Sequence, residues 1–173
     1  VGLQKLTIGS LATATGMSKS GLFAHFKSKE QLQLQVLQEA RQRYIELVAR
    51  PSFEKPRGLA RLRSIVKLTL TDWEDELPGG CIFYAVAAEL DDQPGPTRDF
   101  LVETQREQQQ MLARATKMAV ETGELRQDLD IDQFVFEVGA ISAGFHHFGR
   151  LVGDPNAELH ARRMFDALIA RSQ

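Results

Sequence analysis

The chain has 173 residues, 43% of them hydrophobic and 25% charged, with a net charge of −2. That balance excludes a disordered chain and leaves ample material for a buried core. No apolar run approaches the ~20 residues that a membrane helix needs. The single cysteine, Cys81, cannot form an internal disulfide, so a cytoplasmic protein with no membrane partner is expected.

The net charge hides an asymmetry. Residues 1–50 carry seven Lys and Arg against three Asp and Glu, whereas residues 51–173 carry fourteen against twenty. Residues 1–29 hold Lys5, Lys19, Lys27 and Lys29 and no acidic residue. A basic head on an acidic body points the head alone at a polyanion.

Leu6 to Glu30 reads as two short helices, a tight turn and the start of a third helix. Thr7 suits the N-cap of the first, and Ile8, Leu11 and Ala12 share one face of it. Gly16 ends it, since glycine tolerates the left-handed conformation of a sharp helix exit. Ser18 caps the second helix, with Leu22 and Phe26 as its inward stripe. The small Ala12 lets the two helices cross closely, the geometry of a helix-turn-helix. Lys19, Ser20 and Gly21 then stand at the end of the second helix that faces base edges. Ser28 caps a third helix with Gln31 three residues on, and Lys29 beside that helix start suits a phosphate.

The run Thr7-Ile8, Leu11-Ala12 and Gly16 through Leu32, including Lys19-Ser20-Gly21-Leu22-Phe23-Ala24-His25-Phe26, resembles the DNA-binding segment of TetR-family transcriptional regulators. The resemblance implies DNA contacts from Thr7, Ser18, Lys19, Ser20, Gly21, Phe23, His25 and Lys29. Phe23 departs from the family, which usually has a tyrosine there whose hydroxyl touches phosphate. The family pattern also begins with an earlier helix. Only Val1-Gly2-Leu3-Gln4-Lys5 precede the motif, so that first helix is expected to be missing from this chain. A ligand-binding, dimerising C-terminal domain is implied as well.

Helical spacing continues through Leu32, Val36, Leu37, Tyr44 and Val48, giving a helix over 28–50 that Pro51 ends. Residues 51–56 are the expected boundary between a DNA-binding domain, 1–50, and an effector-binding and dimerisation domain, 51–173. A helix over 57–75 presents Leu59, Leu62, Ile65, Val66, Leu70 and Trp73. The apolar segment 81–90 could be a strand by periodicity, but Ala87-Ala88 favours a buried helix. Thr97 is the expected cap of a polar helix that Gly123 stops. Asp130 begins the next helix, running to about Val152, and Pro155 opens the last. The predicted fold is all-α, about eight helices, with a helix-turn-helix head and a larger helical-bundle body.

Catalytic and metal patterns fail. There is no G-x-S-x-G, H-E-x-x-H or P-loop. Asp128, Asp130 and Asp132 resemble a calcium loop, but Gln133 and Gly139 occupy its sixth and twelfth positions, and helix capping explains them better. His146 and His147 point ~100° apart on a helix and cannot share a metal from one face. Cys81 after Gly79-Gly80 could hold a thiolate for redox sensing, although a small buried residue is the commoner role. No enzyme activity, metal or cofactor is expected. Trp73, Phe83, Tyr84, Met111, Met118, Phe145 and His146 bring apolar bulk with a few polar tips, which suits a cavity for a small, mostly apolar effector. Gly139, Ala143 and Gly144, with Phe148, Phe165, Leu168 and Ile169, suit a four-helix homodimer seam. The reading is a ligand-responsive regulator, a repressor, binding double-stranded DNA as a homodimer. A helical-bundle enzyme or carrier is the alternative, and it leaves the acid-free lysine segment unexplained.

Overall fold

A computed structural model describes residues 2–71 and 80–173. Among them the regular structure is helical, with no strand. After a short 3₁₀ turn at Leu3–Lys5 come α1 (Ile8–Thr15), α2 (Lys19–Phe26) and α3 (Lys29–Tyr44). A π-helical turn, Ile45–Ala49, joins α3 to α4 (Arg50–Phe53). Then follow α5 (Leu59–Thr71), α6 (Ile82–Leu90), α7 (Pro96–Glu121), α8 (Ile131–His146) and α9 (Ala157–Ser172). The end of the predicted 57–75 helix, with Trp73, lies outside the described residues.

The chain groups into two compact units, Val1–Gln42 with Ile82–Gln105, and Arg43–Cys81 with Arg106–Gln173. In the first unit Ile8, Ala12, Leu22 and Leu32 form a buried cluster, with Leu6, Leu11, Phe26 and Val36 packed on it. Ala12 is buried where α1 meets α2, as its size requires. The N-terminal segment is held by side chains: Gln33 Nε2 donates to the Leu3 carbonyl at 2.7 Å, and Glu89 accepts the Gln4 backbone N–H at 2.8 Å.

In the second unit Val48, Leu62, Leu125, Phe134 and Ile169 are all but inaccessible to solvent. Asp130 caps α8 as its position predicts, its carboxylate accepting the Gln133 N–H at 2.9 Å. Gly123, at φ +74°, closes α7, and the N–H of Glu124 reaches back to the Ala119 carbonyl at 2.9 Å.

Two predicted boundaries move. Pro51 does not end the helix, which continues to Phe53. A proline clashes with the carbonyl four residues back. Here the preceding turn is π-helical, with Arg50 N–H bonded to the Ile45 carbonyl, so the ladder is already shifted by one residue. Thr97 is not the cap of α7 either. The helix starts at Pro96, whose missing N–H costs nothing in a first turn, and Thr97 is buried inside that turn.

Candidate nucleic-acid interface

The site is built on three helix starts. Thr7 Oγ1 accepts the Ser10 N–H at 3.0 Å, and Ser10 Oγ accepts the Thr7 N–H at 2.9 Å, a reciprocal cap. Gly16, at φ +67°, makes the exit from α1. Ser18 Oγ accepts the Gly21 N–H at 3.1 Å at the start of α2, and Ser28 Oγ accepts the Gln31 N–H at 3.1 Å at the start of α3. The three caps predicted in this segment, Thr7, Ser18 and Ser28, are therefore formed.

Thr7, Ile8, Gly9, Lys19, Ser20, Phe23, Ala24 and Lys29 line one open concave surface of about 710 Å³. Lys19 lies down across α1. A Cβ added at Gly9 would stand 3.4 Å from its Cε and 3.7 Å from its Nζ. The ammonium is thus held beside the N-terminal turn of α1, itself the positive end of a helix dipole. Lys29 adds a second cation to the same surface, and among the described residues no acidic side chain lines it. Like-signed features gathered at one concave face have an anion as their natural complement.

Of the predicted contact residues, Thr7, Lys19, Ser20, Phe23 and Lys29 meet on this surface. Phe23 is 58% exposed, an aromatic face with no hydroxyl to offer phosphate. Ser18 and Gly21 serve the start of α2, and the His25 ring packs edge-on against Phe26, centroids 4.7 Å apart. Sequence reasoning missed Gly9. The signal was a glycine two residues after an N-cap, in the first turn of a helix that faces the lysine-bearing start of the next.

The predicted effector residues divide over the two units. Phe83, buried, and Tyr84, half-buried, lie on α6 in the first. In the second, Met111 and Met118 are half-buried on α7, and Met118 Sδ accepts from Arg61 Nη1 at 3.8 Å. Phe145 lines a groove of about 280 Å³ with Gly144, Phe148, His160 and Met164, and His146 is half-buried beside it in sequence. The seven-residue set also leaves out Gln108 on α7. It sits in the middle of the inward stripe Leu101, Thr104, Leu112, Ala115 and Ala119, where an apolar residue is the rule.

The predicted dimer residues also separate. Gly139, Ala143, Gly144 and Phe148 are on the accessible side of α8 and the turn after it. Phe165, Leu168 and Ile169 point instead into the core of their own unit, 5%, 3% and 1% exposed. The apolar area near this face comes from Phe136, Leu151 and Met164, 71%, 77% and 57% exposed. Among the described residues no group of three or more His, Cys, Asp or Glu could hold a metal ion, and no helix is long and apolar enough to cross a membrane.

A three-helix head with an exposed recognition helix and a lysine-lined concave face defines a helix-turn-helix DNA-binding protein of the all-α class. Residues 1–36 match the family model described as bacterial regulatory proteins, tetR family, and residues 58–165 match the tetracyclin repressor-like C-terminal domain. The chain belongs to the TetR family of transcriptional regulators.

Solved structures agree in fold. PfmR, a TetR-family transcriptional regulator from Thermus thermophilus, superposes with a TM-score of 0.76 at 20% identity, over 97% of this chain and 90% of that one. AibR, solved in complex with isovaleryl coenzyme A and operator DNA, gives 0.75 at 20% identity, over 94% and 86%. The ketosteroid transcriptional regulator KstR2 of Mycobacterium tuberculosis gives 0.69 at 19% identity, over 97% and 85%. Among curated proteins, none matches the sequence.

Proposed function

We propose that the chain is a cytoplasmic, ligand-responsive repressor that binds a near-palindromic operator as a homodimer and leaves it when a small effector enters the body. Residues 1–50 are the DNA-binding part, and residues 51–173 bind the effector and dimerise. The observation that carries the reading is the Lys19 and Lys29 surface beside the N-terminus of α1, in a segment without acids. The structural relative solved with both an acyl coenzyme A and operator DNA supports the pairing of an effector with DNA.

The dimer reading rests on glycines. Among the described residues, a Cβ added at Gly139 or Gly144 would meet nothing within 4 Å, so packing against those residues does not require their smallness. Glycine inside a helix costs about 1 kcal/mol against alanine. Close approach of a second chain gives those positions a reason. Phe136, Ala140, Ala143 and Leu151 share that exposed side, and Met164 adds to it from α9.

In this mechanism two recognition helices enter major grooves one or more turns apart, ~34–36 Å per turn. The effector prefers a head spacing that the operator does not fit. A coupling of ~1–3 kcal/mol between the two sites is the usual size. The test is an anisotropy titration of the purified chain against the DNA upstream of its own gene. Salt-dependent binding to that fragment, several tens-fold tighter than to scrambled DNA of equal length, is expected. Equal affinity for both overturns the operator-specific reading.

A further inference from the structure

Several inward polar groups of α7 are satisfied by the chain itself. Thr104 Oγ1 donates to the Phe100 carbonyl at 2.9 Å, and Thr116 Oγ1 donates to the Leu112 carbonyl at 2.9 Å. Gln105 Nε2 donates to the Phe83 carbonyl at 3.3 Å. Gln108 Nε2 is buried and, among the described residues, has no acceptor. A buried N–H without a partner opposes folding, and an apolar residue of the same length would avoid it. Gln108 also breaks an otherwise regular stripe, with Leu112 one turn on and Met111 half-buried next to it.

We propose that Gln108 reads the effector, its Nε2–H donating to a carbonyl or carboxylate oxygen of a mostly apolar ligand held against α7. The inference rests on the effector-binding reading above and adds the ligand class. In the orientation the carboxamide holds here its nitrogen is buried and can only donate, so the group it meets there is an acceptor. Met111 beside it supplies a soft wall that adapts to different carbon skeletons. Oxygen position is then selected strictly and carbon shape loosely, because an analogue without the acceptor leaves a buried donor unpaired.

The test is calorimetric titration of the whole chain, and of its Gln108→Met and Gln108→Leu variants, with benzylacetone, phenylbutyrate and butylbenzene. These probes share an aromatic end and a short chain, and only the first two carry an acceptor oxygen. The parent chain is expected to bind benzylacetone or phenylbutyrate, and both variants to lose about tenfold or more of that affinity. Butylbenzene should bind the variants as well as the parent or better. Without ligand, the variants should melt at or above the parent temperature, since the unpaired donor is gone. Circular dichroism of each variant checks the fold, and Met matches Gln in length.

Equal binding of oxygenated probes to parent and variants removes Gln108 as the reader while leaving an effector site in place. Refusal of all three probes by the parent overturns the ligand class proposed here. Effector response in general is read separately, by release of the operator in the anisotropy assay.

Discussion

A carboxylate oxygen of Glu124 accepts the backbone N–H of Leu59 at 2.9 Å, across 65 residues of sequence. Thr122 donates its hydroxyl to the same oxygen at 2.7 Å. Glu124 therefore caps α5 from the loop after α7, and Gly58, at φ +99°, leaves the room for it. The Thr122 hydroxyl, and then the Leu59 N–H, hold the Glu124 carboxyl below its ordinary value of 4.5. A carboxylate whose pKa is lowered by folding stabilises fully above its unfolded value, and that share is lost as pH falls through the folded one. Glu124→Ala should cost about 1 kcal/mol near neutrality, the size of a lost helix cap. Thermal melts from pH 7 to pH 3 should show the gap between parent and variant closing below the ordinary carboxyl value of 4.5. A constant gap would mean that the charge of Glu124 is irrelevant.

Lys29 and Ser20, both on the concave surface, separate by role. Lys29→Ala should weaken binding alike for all DNA sequences and lower the salt slope by about one phosphate contact. Ser20→Ala should change preference at one or two base pairs, at ~1–3 kcal/mol for a lost base contact. Titrations at several salt concentrations, against a set of single-base operator variants, distinguish the two patterns.

Gly9 offers a sharper probe. Gly9→Glu would bring a carboxylate beside Lys19 and place negative charge where the anion should sit. Affinity for the operator should fall by more than about tenfold, with the melting temperature little changed. Undiminished binding would move the phosphate contact away from the start of α1.

Assembly should depend on residues the chain leaves exposed. Phe136→Glu or Met164→Glu should give monomers at low micromolar concentration in sedimentation, because each buries a charge in the seam. Ile169→Ala should leave assembly intact and cost about 2–5 kcal/mol, as a change in the unit's own core. Dimers that persist in both glutamate variants would place the interface elsewhere.

Met111→Ala and Phe145→Ala bear on the effector. Both side chains are half-buried, and their loss should cost less than Phe134→Ala, whose ring is 1% exposed and should be worth about 3–5 kcal/mol. Denaturant melts order the three. Losses equal to that of Phe134→Ala would show Met111 and Phe145 to be solid core.

The head was legible because its signals are local. Thr7, Ser18 and Ser28 each bond an N–H three residues away, and Gly16 needs only its own backbone angles. Residue type and spacing contain that information. The burial of Phe165, Leu168 and Ile169 was not legible, because an apolar stripe on α9 does not say whether its partner is α8 of the same chain or another copy. Gln108 was not legible because a glutamine in a polar helix gives no sign in sequence that its carboxamide nitrogen is buried. Pro51 misled because the rule that proline ends a helix assumes α-helical bonding in the turn before it, and here that turn is π-helical.

That π-helical turn also sets a phase. One extra residue in a helical turn rotates everything after it by about 100° relative to an uninterrupted α-helix. Deleting one residue within Ile45–Ala49 would restore ordinary bonding, turn the proline's ring toward a carbonyl, and point α4 in another direction. The connection from α3 to α4 is in this sense counted in whole residues. A chain shortened by one at this point would set Pro51 into an α-helical ladder, where its ring has no room.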